Sequence, residues 1–224
     1  MAVMAMVLGE GEPAAGPWQV VPLTQLVREL RPGHRGHEGR PWVLAVDGRS
    51  GSGKTTLAGR IQRVIPASAV VHTDDIAWKQ AMFDWAGLLT GGILEPVHRN
   101  EPVRFRPPAW QEHNRDGAIE VPRNSELVII EGAGSARREL MPMIDAVIWV
   151  QSDMAETERR GIDRDGGDEA AITFWHLWMA EELPFMAQQQ PWTRADIIIA
   201  GTPAIPHDPA TQVVIAQPNP APTA

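Results

Sequence analysis

The apolar run Trp42-Val-Leu-Ala-Val46 leads through Asp47 into Gly48-Arg-Ser-Gly-Ser-Gly-Lys-Thr-Thr56, and a helical pattern leaves the loop over residues 55–65. No other stretch of the chain restricts its fold as strongly. Gly48, Gly53, Lys54 and Thr55 hold the four fixed positions of G-x-x-x-x-G-K-[ST], the spacing of a phosphate-binding loop set between a buried strand and a helix. Glycines let the backbone curl until successive N–H groups face inward, so Ser50, Gly51, Ser52 and Thr56 complete the expected cradle for phosphate oxygens. The helix N-terminus adds partial positive charge, Lys54 is expected to reach the β- and γ-phosphates, and the Thr55 hydroxyl sits where Mg²⁺ is held. The implied ligand is a nucleoside triphosphate.

Composition bounds the remaining possibilities. The 224 residues suit one α/β domain with trimmings. A formal net charge of −8 provides no basic footprint for nucleic acid. The absence of cysteine excludes a disulfide scaffold, a thiol nucleophile and thiolate zinc sites, and fits a cytoplasmic protein. No apolar run approaches the ~20 residues needed to cross a membrane. Residues 1–17 begin apolar but lack a basic leader and run into Gly9-Glu-Gly-Glu12, so an unstructured start is expected, as is a frayed tail over the proline-rich 217–224. The domain proper is expected over 18–216.

Apolar spacing at Leu23, Leu26, Val27 and Leu30 predicts a helix. The polar segment after it holds His34 and His37, which lack carboxylate or thiol partners and read as linker. Predominantly apolar runs at 42–46, 69–73, 127–130, 145–150 and 195–200 read as buried strands, with 212–215 as an edge strand. Helices are expected at 55–65, 153–164 and 168–186. Buried strands alternating with helices mean a parallel sheet covered on both faces. Residues 76–121 form an insert, with a helix over 81–89 broken by Gly91-Gly92 and a small hairpin at Arg115-Asp-Gly117.

In open parallel sheets, ligands bind beyond the carboxyl ends of the strands. Asp47, Asp74 with Asp75, and Glu131 fall at such ends. Phosphoryl transfer needs a carboxylate near the attacking hydroxyl and oxygen ligands around Mg²⁺, which makes Asp74 the candidate base. Glu131 is the candidate metal ligand beside Thr55, with Asp74 close to the same sphere, and Asp75 is expected to cap the next helix. Arg160 and Arg164 lie four apart, on one helical face, and could clamp a transferring phosphoryl group or simply form a solvated charged face. Arg104 and Arg106 could equally serve an anionic substrate or the surface. Trp175 and Trp178 are expected in core packing or in a homodimer contact. Trp85 and Trp110, in the insert, are expected nearer the substrate cleft.

Four motifs in order, Val46-Asp-Gly-Arg-Ser-Gly-Ser-Gly-Lys-Thr-Thr-Leu57, His72-Thr-Asp-Asp75, Ile130-Glu-Gly132 and Arg160-Gly-Ile-Asp-Arg-Asp165, resemble the uridine kinase and nicotinamide riboside kinase group over residues 42–202. The resemblance implies a three-layer P-loop NTPase fold with a five-stranded parallel sheet and a short lid at about 158–168. It implies ATP and Mg²⁺ as cofactors and a small-molecule hydroxyl as phosphoryl acceptor. Asp74 would be the general base, Glu131 would join Thr55 around Mg²⁺, and Arg160 and Arg164 would close over the phosphates. Gly201-Thr-Pro203 would lie near the adenine. Two departures stand out: Ile76 follows the acidic pair where the family has an aromatic residue, and the chain has no tyrosine. The competing expectation is an ATPase or nucleotide-binding module with no small-molecule acceptor. The absence of an N-K-x-D motif argues against a guanine-nucleotide switch.

Overall fold

The alternating apolar and helical patterns fold in the order they are written. A computed structural model describes residues 6–31 and 39–218, leaving His34 and His37 outside the described residues. The chain runs β1 (Gln19–Pro22), α1 (Leu23–Leu30), β2 (Trp42–Gly48), α2 (Lys54–Val64), β3 (Ser68–His72), α3 (Thr73–Ala77), α4 (Ala86–Leu89), α5 (Glu95–His98), β4 (Val103–Phe105), α6 (Pro108–Glu112) and β5 (Ile119–Val121). There follow β6 (Leu127–Glu131), β7 (Ala146–Gln151), α7 (Met154–Arg164), α8 (Glu169–Gln189), β8 (Ile197–Ala200) and β9 (Gln212–Ala216).

The main sheet has the order β1-β9-β8-β7-β2-β6-β3. The five strands from β3 to β8 are mutually parallel. The expected five-stranded sheet is therefore corrected to seven, because two antiparallel strands extend it. β9 pairs with β8, and β1 covers β9 with Gln19 opposite Ile215. β9 is thus not the edge. The four residues of β1 are too few to carry a period-2 signal, so only its pairing makes it a strand.

Successive strand residues point to opposite faces. Leu44 and Val46 pack with Leu23 and Leu26 of α1 and Leu57 and Ile61 of α2 on one side. Val43 and Val128 meet Ile76, Leu89 and Ile93 on the other side, where Ala45, Val147 and Trp149 also meet Met186 and Trp192. Helices on both faces of a mostly parallel sheet make three layers.

The insert departs furthest from expectation. Gly91-Gly92 does not break the helix; a π-helical turn, Thr90–Leu94, carries α4 into α5. Burial of Leu89, Ile93, Leu94 and Val97 on one side outweighs the weak helix propensity of the two glycines. β4 pairs with β5 across α6, a wider connection than a hairpin turned at residues 115–117. Trp85 and Trp110 are both core residues, and Arg115 stacks on Trp110 with 3.8 Å from guanidinium carbon to ring centroid.

The start of the chain is also corrected. Residues 6–17, expected to be unstructured, lie along the carboxyl ends of β7 and β8. Trp149 Nε1 and Gln151 Nε2 donate to Glu12 Oε1 at 2.7 and 2.9 Å, and Val7 N–H donates to Asp153. Asp153 and Asp168 cap α7 and α8 by accepting the N–H groups of Glu156 and Ala171. Among the described residues no helix is long and apolar enough to cross a membrane.

Candidate active site

The loop between β2 and α2 draws in much of the buried charge of the described residues. Six charged residues among the described residues are buried as a whole: Glu12, Asp47, Arg49, Lys54, Glu131 and Glu182. Each touches the loop or holds its surroundings. Burying a charge is costly unless it is paired and hydrogen-bonded, so such a concentration marks a site built for a purpose.

Asp47 ends β2 and is fully buried. It accepts the N–H groups of Gly48 and Gly134 through Oδ1, at 2.7 and 2.9 Å, and that of Ala136 through Oδ2 at 2.8 Å. Burial pushes its carboxyl up to about 6 against those three donors and Lys54, which pull it down. Its work is to shape the loop after β6. Arg49 forms a buried ion pair with Glu12. Lys54 Nζ donates to the Arg49 carbonyl at 2.9 Å, which holds the ammonium inside the curl of the loop. Gly53 initiates α2 at φ 100°, a left-handed conformation that favours glycine. Gly51, at φ 77°, lies so close to the Thr157 carbonyl that a Cβ there would overlap it.

One cavity of about 220 Å³ gathers Ser50, Gly51, Gly53, Lys54, Thr55, Thr56, Asp74, Glu131, Arg160 and Arg164. These are most of the residues selected from the sequence. Gly48 and Ser52 do not line it. Gly48 is buried against the Val150 carbonyl, and Ser52 faces a neighbouring cavity of about 260 Å³ with Arg60, Ile199, Gly201 and Pro203.

Glu131, at the end of β6, is nearly buried between two partners. Thr55 Oγ1 donates to its Oε1 at 3.2 Å, and His72 Nδ1 lies 2.6 Å from its Oε2. Burial pushes the Glu131 carboxyl up, but the His72 hydrogen bond, Lys54 and Thr55 together outweigh it and hold the group below the ordinary range. His72 is raised in turn, chiefly by that same hydrogen bond. Asp74 keeps contact with solvent through the cavity mouth. The walls around it desolvate it enough to raise its carboxyl, a shift reinforced by Glu131 and opposed by Lys54, Arg164 and His72. Asp75 does not cap α3; it pairs with Arg115. Arg160 is held by Glu156 at 2.8 Å and by the Gly201 carbonyl at 3.0 Å, while Arg164 lies with Asp165.

The Thr55 hydroxyl and the Asp74 and Glu131 carboxylates are hard oxygen donors around one cavity, the set that suits Mg²⁺ when phosphates supply further ligands. No group of three or more His, Cys, Asp or Glu side chains among the described residues is arranged to hold a metal unaided.

A second cavity, of about 420 Å³, shares Ser50, Asp74 and Arg164 with the first and is walled by Trp78, Met82, Phe174, Trp175 and Trp178. The aromatic residues beside Asp74 therefore come from α8 and the segment after α3, not from Trp85 and Trp110. Arg104 pairs with Glu120, and Arg106 donates to the Arg115 carbonyl, both away from Asp74. Sequence reasoning missed Glu12, Arg49, Phe174 and Glu182. For Glu182 a signal existed: it falls at helical spacing on the buried stripe of Ala171, Trp175 and Met186, where a carboxylate is out of place.

No family model and no curated protein matches the chain. Among solved structures, the crystal structure of a "putative fructose transport system kinase" from Silicibacter sp. TM1040 aligns with a TM-score of 0.56 at 22% identity, covering 78% of this chain and 96% of that one. A "Possible Uridine Kinase" from Bacillus stearothermophilus aligns with a TM-score of 0.46 at 21% identity, covering 79% of this chain and 96% of that one. The chain shares the fold of the Silicibacter protein, a mixed α/β architecture about a central, predominantly parallel sheet.

Proposed function

We propose that this chain is a phosphotransferase that moves the γ-phosphoryl group of ATP to a hydroxyl of a small molecule. The observation that carries the proposal is the position of Asp74 at the junction of two cavities, one lined by the glycine loop and the other by aromatic side chains. A transferase needs donor and acceptor sites that meet at a single reacting point. A module that only binds or hydrolyses a nucleotide needs no second cavity at its base.

The donor phosphates fit the cavity of Lys54, Thr55, Arg160 and Arg164, and the adenine fits the adjoining space near Gly201 and Pro203. Thr55 and Glu131, with Asp74 at the edge of the sphere, would hold Mg²⁺, whose charge offsets that of the phosphates. The acceptor occupies the aromatic cavity with its hydroxyl toward Asp74. The Asp74 carboxylate takes the hydroxyl proton as the oxygen forms its bond to the γ-phosphorus. The bond from that phosphorus to the β,γ-bridging oxygen breaks, and ADP leaves. Lys54, Arg160 and Arg164 oppose the negative charge that spreads over the transferring group. The kinase names of the structural neighbours agree with this scheme, and uridine-like nucleosides are among the acceptors to test first.

The test is a pooled metabolite screen with Mg·ATP, read by mass for products heavier by one phosphoryl group. Transfer to at least one hydroxyl compound is expected, and Asp74→Asn should reduce it by ~10²-fold or more with nucleotide binding nearly intact. Steady ATP hydrolysis with no phosphorylated acceptor would instead favour the ATPase alternative.

A further inference from the structure

We propose that Glu182 is a positioning residue that holds the phosphate-binding loop in its working shape through Ser50, an inference that rests on the nucleotide-binding reading of that loop. Glu182 lies in α8, more than a hundred residues from the loop, and its side chain is fully buried. Both of its oxygens are used on one loop residue. The Ser50 N–H donates to Oε1 at 2.9 Å, and the Ser50 hydroxyl donates to Oε2 at 2.6 Å. Trp178, one turn earlier on α8, donates its Nε1 to the same Oε2 at 2.6 Å and to Ser50 Oγ at 2.9 Å.

Three groups thus form a closed set of hydrogen bonds around Ser50. Its backbone N–H, hydroxyl hydrogen and one oxygen lone pair are all committed to α8. The neutral donors around the carboxylate spread its charge, as a buried acid requires. Ser50 is also one of three residues that line both the loop cavity and the aromatic cavity. A shift there would alter the direction of the following N–H groups, from Gly51 onward, that face the phosphates. Trp178 forms a wall of the aromatic cavity, so the same set of bonds ties the loop to the acceptor side.

Other buried charges already have a local explanation. Asp47 orders the segment after β6, and Glu12 neutralises Arg49. Glu182 forms no direct ion pair among the described residues; its charge reaches Arg164 only through space, and its hydrogen bonds go to Ser50 and Trp178, which points to the shape of the loop as its use.

The experiment measures Mg·ATP affinity by titration calorimetry on the full chain, with wild type, Glu182→Gln, Ser50→Ala and the double variant. Glutamine keeps the size and one acceptor oxygen but turns an NH₂ toward the Ser50 hydroxyl and the Trp178 N–H. The expected result is about tenfold weaker binding for E182Q, and a double variant no weaker than the worse single one, since both remove the same contact. A purely structural role for Glu182 would give additive losses in the double cycle and would overturn the proposal. So would unchanged affinity in E182Q. Trp178→Phe, which removes the indole N–H and keeps a smaller aromatic ring, provides a second arm should E182Q fail to fold: about threefold weaker binding is expected, and wild-type affinity refutes the inference. If the wild-type protein itself does not bind Mg·ATP, the nucleotide reading falls and this proposal falls with it. Binding by the wild type that E182Q leaves untouched removes this proposal alone.

Discussion

Replacing Glu12 with alanine should destabilise the whole domain, although the residue lies in a segment whose composition suggests a frayed terminus. Its side chain is fully buried, and that of its partner Arg49 is 4% exposed. The substitution leaves the Arg49 guanidinium buried with its charge unopposed, a change worth roughly 3–5 kcal/mol in comparable buried pairs. It also strips the acceptor from Trp149 Nε1 and one of the two acceptors of Gln151 Nε2, which keeps the Pro13 carbonyl. Each stranded donor could cost about 1–3 kcal/mol, but the three groups share one side chain and their losses do not add. A net loss of about 4 kcal/mol is the working figure. For a domain of this size, each kcal/mol lowers Tm by about 2–4 °C, so Tm should fall by ~8–16 °C. Urea unfolding followed by tryptophan fluorescence measures the change, because the nine tryptophans, Trp149 at the contact among them, report loss of the fold. Glu12→Gln retains an acceptor for both donors and should recover only the part of the loss not due to charge. A Glu12→Ala variant within about 1 kcal/mol of wild type would show that Arg49 finds other partners, and would refute the claim that this segment is integral to the fold.

The pH dependence of transfer provides a second test. Partial desolvation by the cavity walls raises the Asp74 carboxyl above its ordinary 3.8, and a general base works only when ionised. Activity should therefore be full at higher pH and fall as pH drops through a value above the ordinary aspartate range. A kcat/KM profile that stays flat down to that ordinary range would contradict the assignment. Phe174 is half-exposed at the rim of the aromatic cavity. Phe174→Ala should raise KM for the acceptor several-fold, about 1 kcal/mol, while leaving KM for ATP unchanged. Equal effects on both constants would place Phe174 in general packing instead.

Much of the site was legible before the fold because its residues fall in short, ordered motifs. Lys54, Thr55, Asp74, Glu131, Arg160 and Arg164 each follow a strand end or a helical spacing, and they line one cavity as that spacing implies. The aromatic wall was misassigned for a physical reason. Trp85 and Trp110 lie near Asp74 in sequence, but hydrophobic packing draws them into the core, while α8 returns from far along the chain to supply Trp175 and Trp178. Composition likewise misled at the N-terminus, because the buried Glu12 carboxylate and backbone hydrogen bonds to Asp153 and Gln151 order a segment that has little apolar surface of its own.

The sequence by itself determined the loop, the strand–helix alternation and the acidic strand ends, since these depend on backbone periodicity and on the local chemistry of glycine, lysine and threonine. Tertiary structure decided which distant groups meet: Glu12 with Arg49 and Glu182 with Ser50 at the loop, and β1 with β9 at the edge of the sheet. Such contacts join residues far apart along the chain, and a buried charge reveals its partner only when folding removes the water around it.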